Sequence, residues 1–143
     1  MRRSTIIVAA VALALTLSAC EAFQQIVHDP VPPPDQLSPA GAVLLFKQAG
    51  DSSDTEHAVA FFCTKMGKPM SAMERYDYSD ELQRYLNRIR GRYTRVWDVK
   101  GSRADGDTLV TVNVEFDWLF FWQFKTRRIG TQWYISEIQE DIQ

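Results

Sequence analysis

The chain predicts an α+β fold: three N-terminal helical segments packed on a curved antiparallel sheet of about four strands. Three observations lead there. Up to Gly91, apolar residues recur at three- and four-residue steps between helix caps and helix stops. Beyond Gly91 the apolar period switches to two. The length of 143 residues, with 45% hydrophobic and 12% aromatic side chains, holds one ordinary domain with a core and leaves no room for two.

The elements follow in order. Ser38 serves as an N-cap with Pro39 at the first helical position, Val43, Leu44, Leu45 and Phe46 supply the apolar run, and Gly50 is the stop. Ser53-Asp54-Thr55-Glu56 has capping-box spacing, and Val59, Phe62, Cys63 and Met66 follow at helical steps until Gly67 and Pro69, which predicts a second helix over about 54–66. A third is expected from Asp80 to Arg90, where Leu82, Tyr85, Leu86 and Ile89 form one stripe closed by Gly91. Ser71 and Glu74, again at capping-box spacing, open a short helix over 71–78 that leads into it.

Tyr93–Lys100 then reads as a strand of mixed faces, and Asp105-Gly106 is a hairpin signal. Val110, Val112, Val114 and Phe116 alternate with Thr111, Asn113, Glu115 and Asp117, as a half-buried strand requires. A tight connection near Asp117–Leu119 leads to a third strand through Phe121–Ile129, and Gly130-Thr131 turns it into a fourth, Trp133–Ile138.

The N-terminus has a different texture. Arg2 and Arg3 precede an apolar run from Ile6 to Leu17, followed by small residues, as in a secretory signal. Such a run is too short for a hydrocarbon core of about 30 Å. Leu17-Ser18-Ala19-Cys20 resembles the lipobox of bacterial lipoproteins: an apolar residue, two small ones, then the invariant cysteine. The resemblance implies cleavage before Cys20 and its lipidation with palmitate-like acyl chains. Two or three such chains anchor a protein effectively for good. An ordinary secreted protein with a chance cysteine is the alternative.

The expected organisation is a signal peptide over 1–19, a lipidated Cys20 and Pro-rich tether over 20–37, and a domain over 38–143. Pro30, Pro32, Pro33 and Pro34 keep the tether extended, and at about 3.3 Å per residue it reaches roughly 50 Å. The expected location is the cell envelope, anchored to the outer membrane and facing the periplasm. His28 lies in the tether without metal-ligand company.

Removal of residues 1–19 takes two arginines and leaves 14 basic against 18 acidic residues, a net charge of −4. This balance gives no argument for nucleic acid. With Cys20 lipidated, Cys63 has no intramolecular partner and reads as a small buried apolar residue beside Phe61 and Phe62. There is no Gly-rich phosphate loop, Ser-centred elbow or paired-histidine spacing, so no metal and no cofactor is expected.

Helices first and consecutive hairpins after them, over about 105 residues, resemble the nuclear-transport-factor-like superfamily, and within it the small lipoproteins with lumazine-binding-like domains. The resemblance rests on Ser38-Pro39, on Gly50-Asp51 through Glu56-His57-Ala58, on the strand Thr108–Phe116 and on Gly130-Thr131-Gln132-Trp133-Tyr134-Ile135. It implies a cone-shaped fold, a pocket between helices and sheet, and association of two copies through the sheet. Some members of that superfamily are isomerases or dehydratases. Here Tyr76, Tyr85, Asp98, Asp117 and His57 are the available pieces, and none stands in a motif that matches, so no catalytic residue and no enzymatic activity is expected.

Two constellations are candidate sites. Trp118-Leu119-Phe120-Phe121-Trp122-Gln123-Phe124 places aromatic bulk on both faces of a strand, which makes Trp118, Phe120, Trp122 and Phe124 candidates for an interface or a pocket. The occupants in view are a second copy, an envelope protein or an apolar ligand; burial of both faces by a curved sheet is the alternative. The membrane interface also suits tryptophan, although a long stalk does not enforce that contact. Residues 65–103 hold ten Lys/Arg against five Asp/Glu, and Arg84, Arg88 and Arg92 are candidates for binding an anion. A solvated face with Asp80 and Glu81 pairing to Arg84 is the simpler reading. Together these features predict a lipid-anchored, non-enzymatic binding or interaction module, the alternative being a carrier or enzyme that uses the pocket.

Overall fold

The computed structural model describes residues 31–101 and 109–142. The predicted signal peptide, Cys20, most of the predicted tether and the Asp105-Gly106 turn lie outside these residues. The described elements are α1 (Pro39–Asp51), α2 (Thr55–Val59) and α3 (Ala72–Ile89), followed by β1 (Thr94–Gly101), β2 (Leu109–Phe116), β3 (Phe120–Ile129) and β4 (Gln132–Gln139). The strands form an open four-stranded antiparallel sheet in the order β1-β2-β3-β4, and the architecture is α+β.

Caps place the helices. The Ser38 hydroxyl accepts from Gly41 N–H at 3.0 Å, and Pro39 starts α1. At α3, Ser71 Oγ accepts from Glu74 N–H at 3.2 Å while the Glu74 carboxylate accepts from Ser71 N–H at 2.7 Å. The short helix over 71–78 and the helix from Asp80 are a single element, because nothing between Ala72 and Ile89 breaks a helix. Its apolar stripe, Leu82, Tyr85, Leu86 and Ile89, is buried.

The second helix departs from expectation. It stops at Val59 instead of running to 66, and its N-cap is Asp54, which accepts from His57 N–H at 2.9 Å, whereas Ser53 has a φ of 60°. Past α2 the chain pairs with β4: Ile135 N–H donates to Phe61 O at 2.8 Å and Cys63 N–H to Ile135 O at 2.9 Å. Those bonds cover an open sheet edge and bury Phe61, Phe62 and Cys63, which a helix ahead of Gly67 and Pro69 would not do. Helical spacing over 59–66 is thus overridden by a tertiary pairing.

The same edge is covered further back. Trp133 N–H donates to Gln36 O at 2.8 Å, and Gln36 Nε2 donates to Trp133 O at 3.1 Å. The last residues of the predicted tether therefore belong to the compact unit, which begins at Pro32.

The alternation of β2 and β3 sets the two faces of the sheet. Val112, Val114, Phe116, Trp122 and Phe124 point to the helices and are sealed against Val43, Phe46, Phe62, Leu82 and Leu86. The opposite face carries cross-strand polar pairs: Arg95 with Glu115 at 2.7 Å, Gln123 with Asn113 at 3.1 Å and Lys125 with Glu137 at 3.1 Å. Register shifts in β1 and β4 leave Trp97 and Ser136 without a cross-strand partner, as bulges do.

Candidate functional site

The candidate site grows from the turn between β2 and β3. Phe116 pairs with Phe120, so only Asp117, Trp118 and Leu119 make the connection. Asp117 and Trp118 both take left-handed backbone conformations, with φ of 51° and 61°. Aspartate tolerates that region, whereas a bulky tryptophan pays a steric cost there. Asp117 is what holds the turn: its N–H donates to Tyr93 O at 3.0 Å, its carboxylate accepts from Tyr93 N–H at 2.7 Å, and Arg92 Nη1 donates to it at 2.9 Å. The hairpin is thereby tied to the link between α3 and β1.

The outcome is a presented aromatic surface. Trp118 and Leu119 are 63% and 74% exposed at the apex, and Tyr93 stacks on Trp118 with ring centres 5.8 Å apart and planes 15° from parallel. The Arg95 guanidinium lies 4.7 Å from the Trp118 ring centre and 4.8 Å from that of Trp97, while Glu115 holds the same guanidinium from the sheet side. Trp97, the bulged residue of β1, is 61% exposed and meets Phe121 edge-on at 6.2 Å. Tyr93, Trp118, Arg95 and Trp97 thus form one ladder along the β1 side of the sheet.

The sequence-predicted aromatic set divides. Trp118 belongs to this surface. Trp122 and Phe124 do not: both are fully buried beneath the helices, with Tyr85 edge-on to Trp122 at 5.8 Å and Phe46 edge-on to Phe124 at 6.0 Å. Phe120 is half-buried against Phe116 and Trp122, with Arg88 and Arg92 each 5.3 Å from its ring centre. Tyr93, Arg95 and Trp97 were not among the candidates. They stand at alternate positions and so share a face, but nothing in the sequence says that no other element covers that face.

Two of the three arginines of the predicted anion set meet carboxylates of this same chain. Arg88 binds Glu140 at 2.8 Å and Asp141 at 3.1 Å, and Arg92 binds Asp117. Arg84 stands 5.0 Å from the Tyr85 ring centre, and Glu81, expected beside Arg84, accepts from the Tyr85 hydroxyl at 3.1 Å. The arginines of 88–95 therefore come largely neutralised.

A cleft of about 370 Å³ opens between α3 and β4, lined among others by Cys63, Tyr78, Glu81, Tyr85 and Glu137. Burial first, then the Glu81 carboxylate, the Tyr85 phenol and Glu137, push the Tyr78 phenol well above its ordinary range. Burial also pushes the Cys63 thiol up, against Arg127 and a backbone hydrogen bond that pull it down, so Cys63 is a neutral thiol at pH 7. His57 packs edge-on against Phe61 at 4.9 Å. Tyr76, the other candidate tyrosine, lies instead along a groove of about 670 Å³ between α2 and α3. Among the described residues no three His, Cys, Asp or Glu side chains converge as metal ligands, and no helix is long and apolar enough to cross a membrane.

Compared with protein-family models, with curated proteins and with solved structures, the chain matches none.

Proposed function

We propose that this chain is a lipid-anchored protein of the cell envelope whose domain is a non-enzymatic binding or interaction module. The lipobox-like Leu17-Ser18-Ala19-Cys20 supports the anchor, attached to the outer membrane with the domain on its periplasmic side. The observation that carries the module reading is the exposed ladder of Tyr93, Trp97, Trp118 and Leu119, held by ion pairs and strained backbone while the core is sealed without it. Side chains left mostly exposed by a core that is sealed without them are available to a partner outside the molecule. A second copy or another envelope protein is the macromolecular partner in view, and nucleic acid is not.

The finer architecture belongs to the same proposal: three helical segments on a sheet curved like the nuclear-transport-factor-like cone. A carrier role is the second reading, and the cleft of about 370 Å³ beside Tyr78 and Tyr85 favours it.

The anchor and the module are tested apart. Cys20→Ala should move the protein from the membrane to the soluble fraction and abolish palmitate labelling; retention of both would refute the anchor. Trp97→Ser with Trp118→Ser should leave the circular dichroism spectrum and melting temperature unchanged but eliminate cross-linking to envelope partners or to itself. An unchanged cross-linking pattern would remove the ladder from the function and leave the cleft.

A further inference from the structure

We infer that the apex of the β2–β3 hairpin is a second membrane contact, in which Trp118 and Leu119, with Tyr93 beside them, enter the headgroup boundary of a phospholipid bilayer. The inference rests on the lipid-anchor reading proposed above.

Three observations select a bilayer. The first is shape. The exposed apolar groups at the apex come from a three-residue turn and one neighbouring side chain, each able to bury at most about 150–250 Å². Taken without Trp97, these groups fall short of the about 800 Å² that a stable protein interface takes from each partner, whereas a bilayer accepts a projecting turn without complementarity and rewards each apolar group that enters. Indole and phenol rings, apolar in body and polar at one edge, suit the headgroup level, and leucine suits the acyl side of it.

The second is charge. Arg92 and Arg95 stand just behind the apex at the depth of the headgroups, but Asp117 and Glu115 already neutralise them. The apex is therefore locally neutral and fits a zwitterionic surface, with little dependence on salt.

The third is reach. The chain enters the fold at Gln36, against Trp133 at the start of β4, which is the end of the sheet opposite to Trp118. The ten residues of β3 separate the two ends by about 30 Å. From Cys20 to Pro32, at about 3.3 Å per residue, an extended chain spans at most about 40 Å. An anchor at Cys20 therefore leaves enough chain to lay the domain down with its apex on the same bilayer, and the short span raises the effective concentration of that second contact.

The test uses the full-length protein isolated from its own membranes and reconstituted in phosphatidylcholine vesicles that contain lipid brominated high on the acyl chain, which quenches indole emission at short range. Wild type should be quenched, Trp118→Phe and Leu119→Asp should each lose more than half of that quenching, and Trp97→Phe should keep it. Quenching should change less than twofold between 0.1 and 0.5 M salt. Equal quenching in wild type and Trp118→Phe would overturn the inference. So would concentration-dependent self-association that Leu119→Asp abolishes while bromolipid has no effect, which would assign the apex to a second copy. The mass of the N-terminal peptide reports acylation separately: an acylated Cys20 without Trp118 quenching overturns the apex contact alone, and Trp118 quenching without acylation overturns the anchor alone.

Discussion

Trp118 and Trp122 stand four residues apart on one hairpin and have opposite fates. Trp122 is fully buried, ringed by Tyr85, Phe116, Phe120 and Phe124, and its indole N–H has no hydrogen-bond partner among the described residues. Trp118 is mostly exposed, in a backbone conformation its side chain disfavours, and its N-terminal neighbour Asp117 makes the contacts that keep it there. One residue fills the core and gathers aromatic rings around it; the other adds little to stability and is presented. Residue type does not separate the two roles, but the cost of removing each does.

The largest effect should come from Trp122→Ala. A fully buried tryptophan truncated in a packed core costs about 3–5 kcal/mol, which denaturant titration would read as a lower midpoint. Trp122→Phe should cost clearly less, because a phenyl ring keeps most of the buried aromatic volume. If both changes proved neutral, the core described around β3 would be wrong.

Asp117→Ala should cost about 1–3 kcal/mol, since it strips a charge-assisted bond from Tyr93 N–H, unpairs Arg92 and leaves alanine in a left-handed conformation. Faster hydrogen exchange at Tyr93 and Leu119 would show that the turn had loosened. Unchanged exchange would mean that Asp117 does not hold the apex.

An alkaline titration sharpens the contrast between cleft and surface. The folded-state value of Tyr78 is raised, so its share of stability is complete below the ordinary tyrosine range near pH 10 and is lost as pH rises above it. Unfolding on the alkaline side should accompany the appearance of its phenolate absorbance. A Tyr78 that ionises with the exposed tyrosines, before any unfolding, would contradict its burial beside Glu81 and Glu137.

Trp118→Gly should have the smallest effect on stability, within about 0.5 kcal/mol, and could raise the melting temperature because glycine adopts a positive φ without steric cost. A loss of several kcal/mol would return Trp118 to the core and undo the distinction from Trp122.

Much of this was legible in the chain. Ser38-Pro39, the Ser71/Glu74 box and the alternation from Val110 to Phe116 are local signals, set by capping chemistry and by strand geometry, and they mark α1, α3 and β2 directly. That Trp122 and Phe124 share one face, with Phe121, Gln123 and Lys125 on the other, follows from the same alternation, but not which face the helices cover. The extent of α2 was not legible, because the helical spacing of Val59, Phe62, Cys63 and Met66 is real and only the open edge of β4 redirects those residues. The partners of Arg88 and Arg92 were not legible either, since Glu140, Asp141 and Asp117 are distant in sequence and reach the arginines only when the sheet folds onto α3.

By itself the sequence determined the class of fold, the order of its elements and which residues of β2 share an apolar face, because caps, turns and periodicity act within a few residues of the chain. Only the tertiary structure decided which aromatic residues are sealed and which are offered. Burial is a property of what else arrives at a surface: helices arrive over Trp122 and Phe124, whereas Trp118, with Tyr93 and Arg95 against its ring, stays mostly exposed.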